Sequence, residues 1–108
     1  MPRAAMDLRE ILRARQRLRG VIWPTPLVRS SWLSEHRSAE VYLKLENLQL
    51  TGSFKVRGAL YKLMRLGPEA QHREILTVSA GNHGRALAYG AELFKARATI
   101  IVPRTAAP

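Results

Sequence analysis

Two short runs of aliphatic and β-branched residues, 75–78 and 98–102, flank a stretch, 85–95, whose apolar Leu87, Ala88, Ala91 and Leu93 fall at helical spacing. This order constrains the fold more than any other feature of the chain. A strand, one helix and a second strand in so short a span join parallel neighbours through a right-handed crossover. The same alternation begins earlier. Residues 41–46 read as a strand, and residues 54–66 place Val56, Leu60, Leu63 and Met64 on one helical face before Gly67-Pro68 stops the helix. The pattern strand–helix–strand–helix–strand predicts an α/β fold: an open parallel sheet with flanking helices. The last strand ends at Pro103. A sheet stopping there keeps an edge and a face uncovered, so it is expected to be incomplete in this chain.

The N-terminal part is different in kind. Residues 7–18 form an amphipathic helix with Leu8, Ile11, Leu12 and Leu18 near one face, and Gly20 stops it. Pro24 and Pro26 then forbid helix and favour an extended segment around Thr25 and Leu27. Ser30 or Ser31 caps a short helix through Glu35.

Composition removes several classes of function. Of 108 residues, 46% are hydrophobic and 24% charged, which is a globular balance and not a disordered one. A chain of this length buries only about two-thirds of its surface on folding. It has no cysteine, so it builds no disulfide or thiolate metal site, in keeping with a reducing cytoplasm. No apolar run approaches the ~20 residues that span a bilayer, and the N-terminus lacks the apolar core of a secretory signal. Asp7 and Glu10 interrupt the positive face that a mitochondrial transit peptide would present. The net charge of +10 raises the question of a nucleic-acid partner, and six arginines lie within the first 19 residues. They are not interleaved with aromatics as a single-strand platform requires, so a nucleic-acid partner is not expected and the charge reads as solvated surface.

Two motifs carry chemistry. In Thr51-Gly52-Ser53-Phe54-Lys55-Val56-Arg57-Gly58-Ala59 a Gly-Ser turn leads from strand to helix and sets Lys55 at the helix N-terminus. The partial positive charge there disfavours a second cation, and apolar cover from Phe54 acts the same way. A lysine with some neutral amine attacks carbonyls. The alternative is an ordinary solvated lysine at a helix start. In Ser79-Ala80-Gly81-Asn82-His83-Gly84 two glycines let backbone approach a ligand, and N–H groups at the following helix start suit a carboxylate or phosphate. Asn82 can both donate and accept a hydrogen bond. His83 is either a general base or, the preferred reading, a loop histidine bonded to backbone. His36 and His72 read as surface residues. The segment is neither a Walker loop nor a dinucleotide fingerprint.

Together, the two motifs resemble the fold type II pyridoxal-phosphate (PLP) enzymes, the tryptophan synthase β-like superfamily, and within it the threonine/serine dehydratases and serine racemases. The resemblance extends through the Thr25-Pro26-Leu27 segment, Leu43-Lys44-Leu45-Glu46-Asn47-Leu48-Gln49 and the strand closing at Pro103, nearly the whole chain. It implies that residues 1–108 are the N-terminal portion of a PLP catalytic domain: 1–50 as N-terminal helix and first strand, and 51–108 as a βαβαβ segment. It implies that Lys55 is the Schiff-base lysine, that Phe54 packs on the cofactor, and that Asn82 contacts its ring oxygen. Ser79, Gly81, Asn82 and His83 then hold the substrate carboxylate, with no metal ligand among these residues.

The activity implied is β-elimination of a small hydroxy-amino acid, L-threonine or L-serine, to a 2-oxo acid and ammonia, in a cytoplasmic homo-oligomer. A serine racemase-like isomerase and a non-catalytic basic α/β module are the alternatives. Val56 after Lys55 argues against cysteine and threonine synthases, which resemble this motif but usually carry other residues there. Serine racemases carry Ser where this chain has Ala80, and alanine has no proton to donate. Leu50, Arg85 and the Phe94-Lys95-Ala96 helix end depart from the family pattern, which has proline, glutamine and glycine there. The family's glycine-rich phosphate loop is expected beyond these residues, so the chain by itself should bind PLP weakly and show little activity.

Overall fold

The computed structural model describes residues 7–106. Helix α1 (Leu8–Leu18) starts on Asp7, whose carboxylate accepts the Arg9 N–H at 3.0 Å, and it ends with Arg15 and Arg17 in its last turn. Both ends therefore suit the helix dipole. Strand β1 (Leu27–Arg29) follows the two prolines. Helix α2 (Ser31–Arg37) is capped by Ser30, whose hydroxyl accepts the Leu33 N–H at 3.3 Å. Strand β2 (Tyr42–Lys44) leads through a 3₁₀ turn (Glu46–Leu48) to helix α3 (Lys55–Leu66). A short helix α4 (Glu69–His72), strand β3 (Glu74–Val78), helix α5 (Asn82–Phe94) and strand β4 (Arg97–Ile101) complete the order.

Strands β3 and β4 pair in parallel from Glu74 opposite Arg97 to Val78 opposite Ile101, joined through α5 as the sequence pattern requires. The strand read at residues 41–46 is present, as Tyr42–Lys44, but it does not join that sheet. It pairs antiparallel with β1, Leu27 opposite Lys44 and Arg29 opposite Tyr42, in a separate two-stranded ribbon. The extended Pro24–Pro26 approach delivers β1 alongside β2, and Leu45 N–H closes the ladder on Pro26 O at 3.0 Å. The loop read at 79–84 is also shorter, because α5 begins at Asn82 rather than Arg85.

The core lies between α3 and α5. Val56, Leu60 and Leu63 are the largest fully buried side chains. Val56, Ala59 and Leu60 cluster with Ala86 and with Leu18 of α1, while Leu63 clusters with Leu87. Early residues of α3 thus meet early residues of α5, and later ones meet later ones. The two helices run in the same direction, and both N-termini emerge at the carboxyl end of β3. Gly90 permits this approach: a Cβ there would lie 2.6 Å from Leu63 Cδ1 and 3.2 Å from Leu60 Cδ2. At the far end of α5, Lys95 takes the left-handed conformation (φ 53°, ψ 36°), a position that favours glycine. This is the helix end where the chain departs from the resembled pattern.

Candidate functional site

The end of the molecule where α3 and α5 both begin gathers the residues singled out from the sequence. Lys55 is the first residue of α3, and Asn82 is the first of α5. The aligned helix starts present free backbone N–H groups and partial positive charge, an arrangement suited to a carboxylate. In open α/β sheets, ligands bind at this carboxyl end of the strands.

The turn before Lys55 has a clear local cause. Gly52 sits at φ +75°, which a side chain would strain, and Gly52 N–H closes the turn on Gln49 O at 2.8 Å. Ser53 is buried, and its hydroxyl accepts the Lys55 N–H at 3.3 Å. The Lys55 side chain is exposed, and no carboxylate among the described residues reaches it. Phe54 does not enclose the amine as the sequence suggested. Its ring is 58% exposed, with Lys55 Nζ 5.1 Å from the centroid. The contact is a cation–π pair in solvent.

The β3–α5 loop is held by Ser79. Its N–H donates to Ile101 O at 3.0 Å and prolongs the parallel ladder, while its hydroxyl accepts from Gly81 N at 3.3 Å and Gly84 N at 3.0 Å. This capping from outside the helix is why α5 starts at Asn82. Ser79 keeps its own O–H proton to give. Gly84 is buried, and a Cβ there would meet Ile100 Cγ2 at 3.0 Å and Ser79 O at 3.2 Å, so glycine lets the helix start settle on β4. Gly81, Asn82 and His83 are exposed. His83 stands in the first turn of α5, not in a loop, and lines a groove of about 190 Å³ with Gly58, Ala59 and Lys62 of α3.

Five polar residues with no individual role legible in the sequence fix this end to the β1–β2 ribbon and its approach. Arg57 donates to Glu46 twice, Nε to Oε2 at 2.8 Å and Nη2 to Oε1 at 2.7 Å. Glu46 Oε1 also accepts the buried Thr25 hydroxyl at 2.5 Å, and Lys44 Nζ donates to Thr25 O. Gln49, 3% exposed, takes the Trp23 and Leu50 N–H groups on Oε1 and gives Nε2 to Trp23 O. The Arg57 hydrogen bonds pull the Glu46 carboxyl down to about 2 against partial burial, which raises it; Thr25 and the charges of Arg57 and Lys44 add to the lowering.

A carboxylate depressed in the folded state stabilises it fully above its ordinary value and loses that contribution as pH falls toward the folded value. Discounted for the solvent that reaches Arg57, the contribution is about 2 kcal/mol. The thermal midpoint is therefore expected to fall between about pH 5 and pH 2, and to fall less steeply in Glu46→Gln. Equal slopes in the two proteins would contradict this.

Residues 18–108 match the family described as pyridoxal-phosphate dependent enzyme. The chain belongs to this family. Its cofactor is pyridoxal phosphate. The chain is 46% identical over 101 residues to an L-threonine ammonia-lyase of Thermotoga maritima, covering 94% of this chain and 25% of that protein. It superposes on the crystal structure of serine racemase from Dictyostelium discoideum with a TM-score of 0.85 at 37% identity, over 94% of this chain and 34% of that one. On the processed form of threonine deaminase isoform 2 from Solanum lycopersicum the TM-score is 0.73 at 28% identity, over 96% and 30%. The chain thus spans a quarter to a third of the relatives it matches, and its fold is part of the fold type II architecture.

The donor set suits the family's cofactor: an exposed primary amine with no carboxylate beside it, an exposed aromatic ring against it, and an amide side chain at the neighbouring helix start. Among the described residues, no group of three or more acidic or histidine side chains could hold a metal. No described helix is long and apolar enough to cross a membrane.

Proposed function

We propose that this chain supplies the cofactor-bearing lysine and part of the substrate site of an ammonia-lyase acting on L-threonine or L-serine. The observation that carries the reading is the Lys55 amine, exposed and with no ion-pair partner among the described residues, on the first residue of α3 at the end where α5 also begins.

In this reading Lys55 would hold pyridoxal phosphate through its amine, with Phe54 and Asn82 as the residues that would contact it. The substrate carboxylate would sit at the start of α5 against Gly81, held by the Asn82 N–H, the Ser79 O–H and His83. The Lys55 amine would take the Cα proton. The cofactor, when bound, would supply the sink for the electron pair left on Cα. The β-hydroxyl would leave as water with the proton that Lys55 has received, and the remaining enamine would take up water to give a 2-oxo acid and ammonia. A cytoplasmic homo-oligomer is the proposed setting, in keeping with a chain that has no cysteine.

The likeness to serine racemase favours a second reading, isomerisation. Inverting Cα needs a proton donor on the face opposite Lys55. Ala80, between β3 and α5, offers none, which supports the lyase.

The test is product analysis on an enzyme containing these residues, supplied with L-threonine and L-serine. The expected products are 2-oxobutanoate and pyruvate, with ammonia released in equal amount. D-serine accumulating faster than pyruvate would establish the isomerase instead.

A further inference from the structure

The ion pair behind α3 stands in a specific relation to Lys55. Arg57 lies two residues beyond it, and residues two apart on a helix face opposite ways. Arg57 can therefore hold the first turn of α3 from the rear while Lys55 projects into solvent in front. The turn needs such a hold. Its cap residue, Phe54, makes no side-chain capping bond, and Val56 is the one buried residue of that turn. Besides Val56, what fixes the first turn is the Ser53 hydroxyl on the Lys55 N–H and the paired bonds from Arg57 to Glu46. Glu46 is well placed to serve as an anchor: its side chain is 15% exposed, and it also accepts from Thr25, itself 7% exposed between two prolines.

We propose that Glu46 and Arg57 are positioning residues for Lys55, a clamp that fixes the first turn of α3 so that the amine meets the cofactor carbonyl in one orientation. Neither touches the cofactor. A planar guanidinium chelated by a carboxylate restrains rotation as well as distance, which a lysine at position 57 could not do. The proposal rests on the reading of Lys55 given above.

The experiment uses the cofactor-free form of an enzyme containing these residues, given pyridoxal phosphate and borohydride and followed by peptide mass spectrometry. It reads the pyridoxyl group on Lys55 relative to Lys62, an exposed lysine on the same helix that serves as internal reference. In the unsubstituted enzyme the ratio favours Lys55. Glu46→Gln and Arg57→Met are expected to lower it about tenfold, because small misplacements of a reacting group cost rate steeply. Arg57→Lys, which keeps the charge and loses the chelate, is expected to lower it comparably. Arg29→Ala breaks the exposed Arg29–Glu40 pair on the same ribbon, so it measures what loss of an ion pair does without the clamp, and it should leave the ratio unchanged. Should Glu46→Gln or Arg57→Met fail to fold by circular dichroism, Arg57→Lys decides. An unchanged ratio in a folded clamp variant overturns the proposal. An enzyme that shows no preference for Lys55 before any substitution overturns the reading of Lys55 itself, and the clamp with it.

Discussion

Lys55→Ala is expected to remove amino-acid-dependent release of 2-oxo acid from an enzyme containing these residues, by at least about 10⁴-fold. The size follows from the two tasks given to one amine. In the proposed reading it holds the cofactor and then takes the Cα proton. Alanine can do neither, and no other described lysine starts a helix at the carboxyl end of β3. The fold should not notice. Lys55 is exposed and pairs with no carboxylate among the described residues, so the change in stability is expected to stay within about 0.5 kcal/mol. Lys62→Ala, two turns along the same helix, is the matched control and should retain activity. Loss of activity together with loss of the thermal transition would assign Lys55 a structural role instead.

The second large effect concerns the contact that aligns the two helix starts. Gly90→Val is expected to destabilise the chain by about 3 kcal/mol. The added Cβ alone would sit 2.6 Å from Leu63 Cδ1, and Leu63 and Leu60 are both buried with little room to turn away. Relief would come by parting α3 from α5, which also parts Lys55 from Asn82. Gly58→Ala should do the reverse. That position also lies within a helix, but a Cβ there meets nothing within 4 Å. Only the helix preference remains, and it favours alanine by about 1 kcal/mol. Opposite shifts of the denaturation midpoint at two helical glycines are the expected outcome. A stabilising Gly90→Val would contradict the helix packing described here.

These two glycines also show how far the sequence could be read. Helical spacing places both within helices, but nothing local separates the one that faces a neighbour from the one that faces water. Helices α1, α2 and α3 were legible, because apolar periodicity and the flanking Asp7, Ser30 and Gly67 are local signals, whereas the four-residue α4 was not. So was the parallel β3–β4 pair, since its strands and crossover helix lie within one short span. The partner of β2 was not. Leu27–Arg29 is three residues after a proline pair, too short for any alternation to show. The start of α5 was misplaced because its capping oxygen comes from Ser79, two residues before the usual cap position at Gly81.

The site divides along the same line. Lys55 stands out because it follows a Gly-Ser turn and opens a helix, and Asn82 because it lies in a glycine loop between a strand and a helix. The clamp did not stand out. Glu46 and Arg57 look like ordinary surface charges 11 residues apart, and only the turn at Gly52 folds one onto the other. Thr25 and Gln49 are polar residues whose burial follows from the ribbon docking on α3, which no local pattern announces.

The most direct test of the central reading is to map where, among these residues, pyridoxal phosphate becomes fixed in an unsubstituted enzyme that contains them, after borohydride reduction. The account predicts the pyridoxyl group chiefly on Lys55, with Lys44, Lys62 and Lys95 labelled only at the level of solvated lysines. Labelling spread evenly over the four would contradict it.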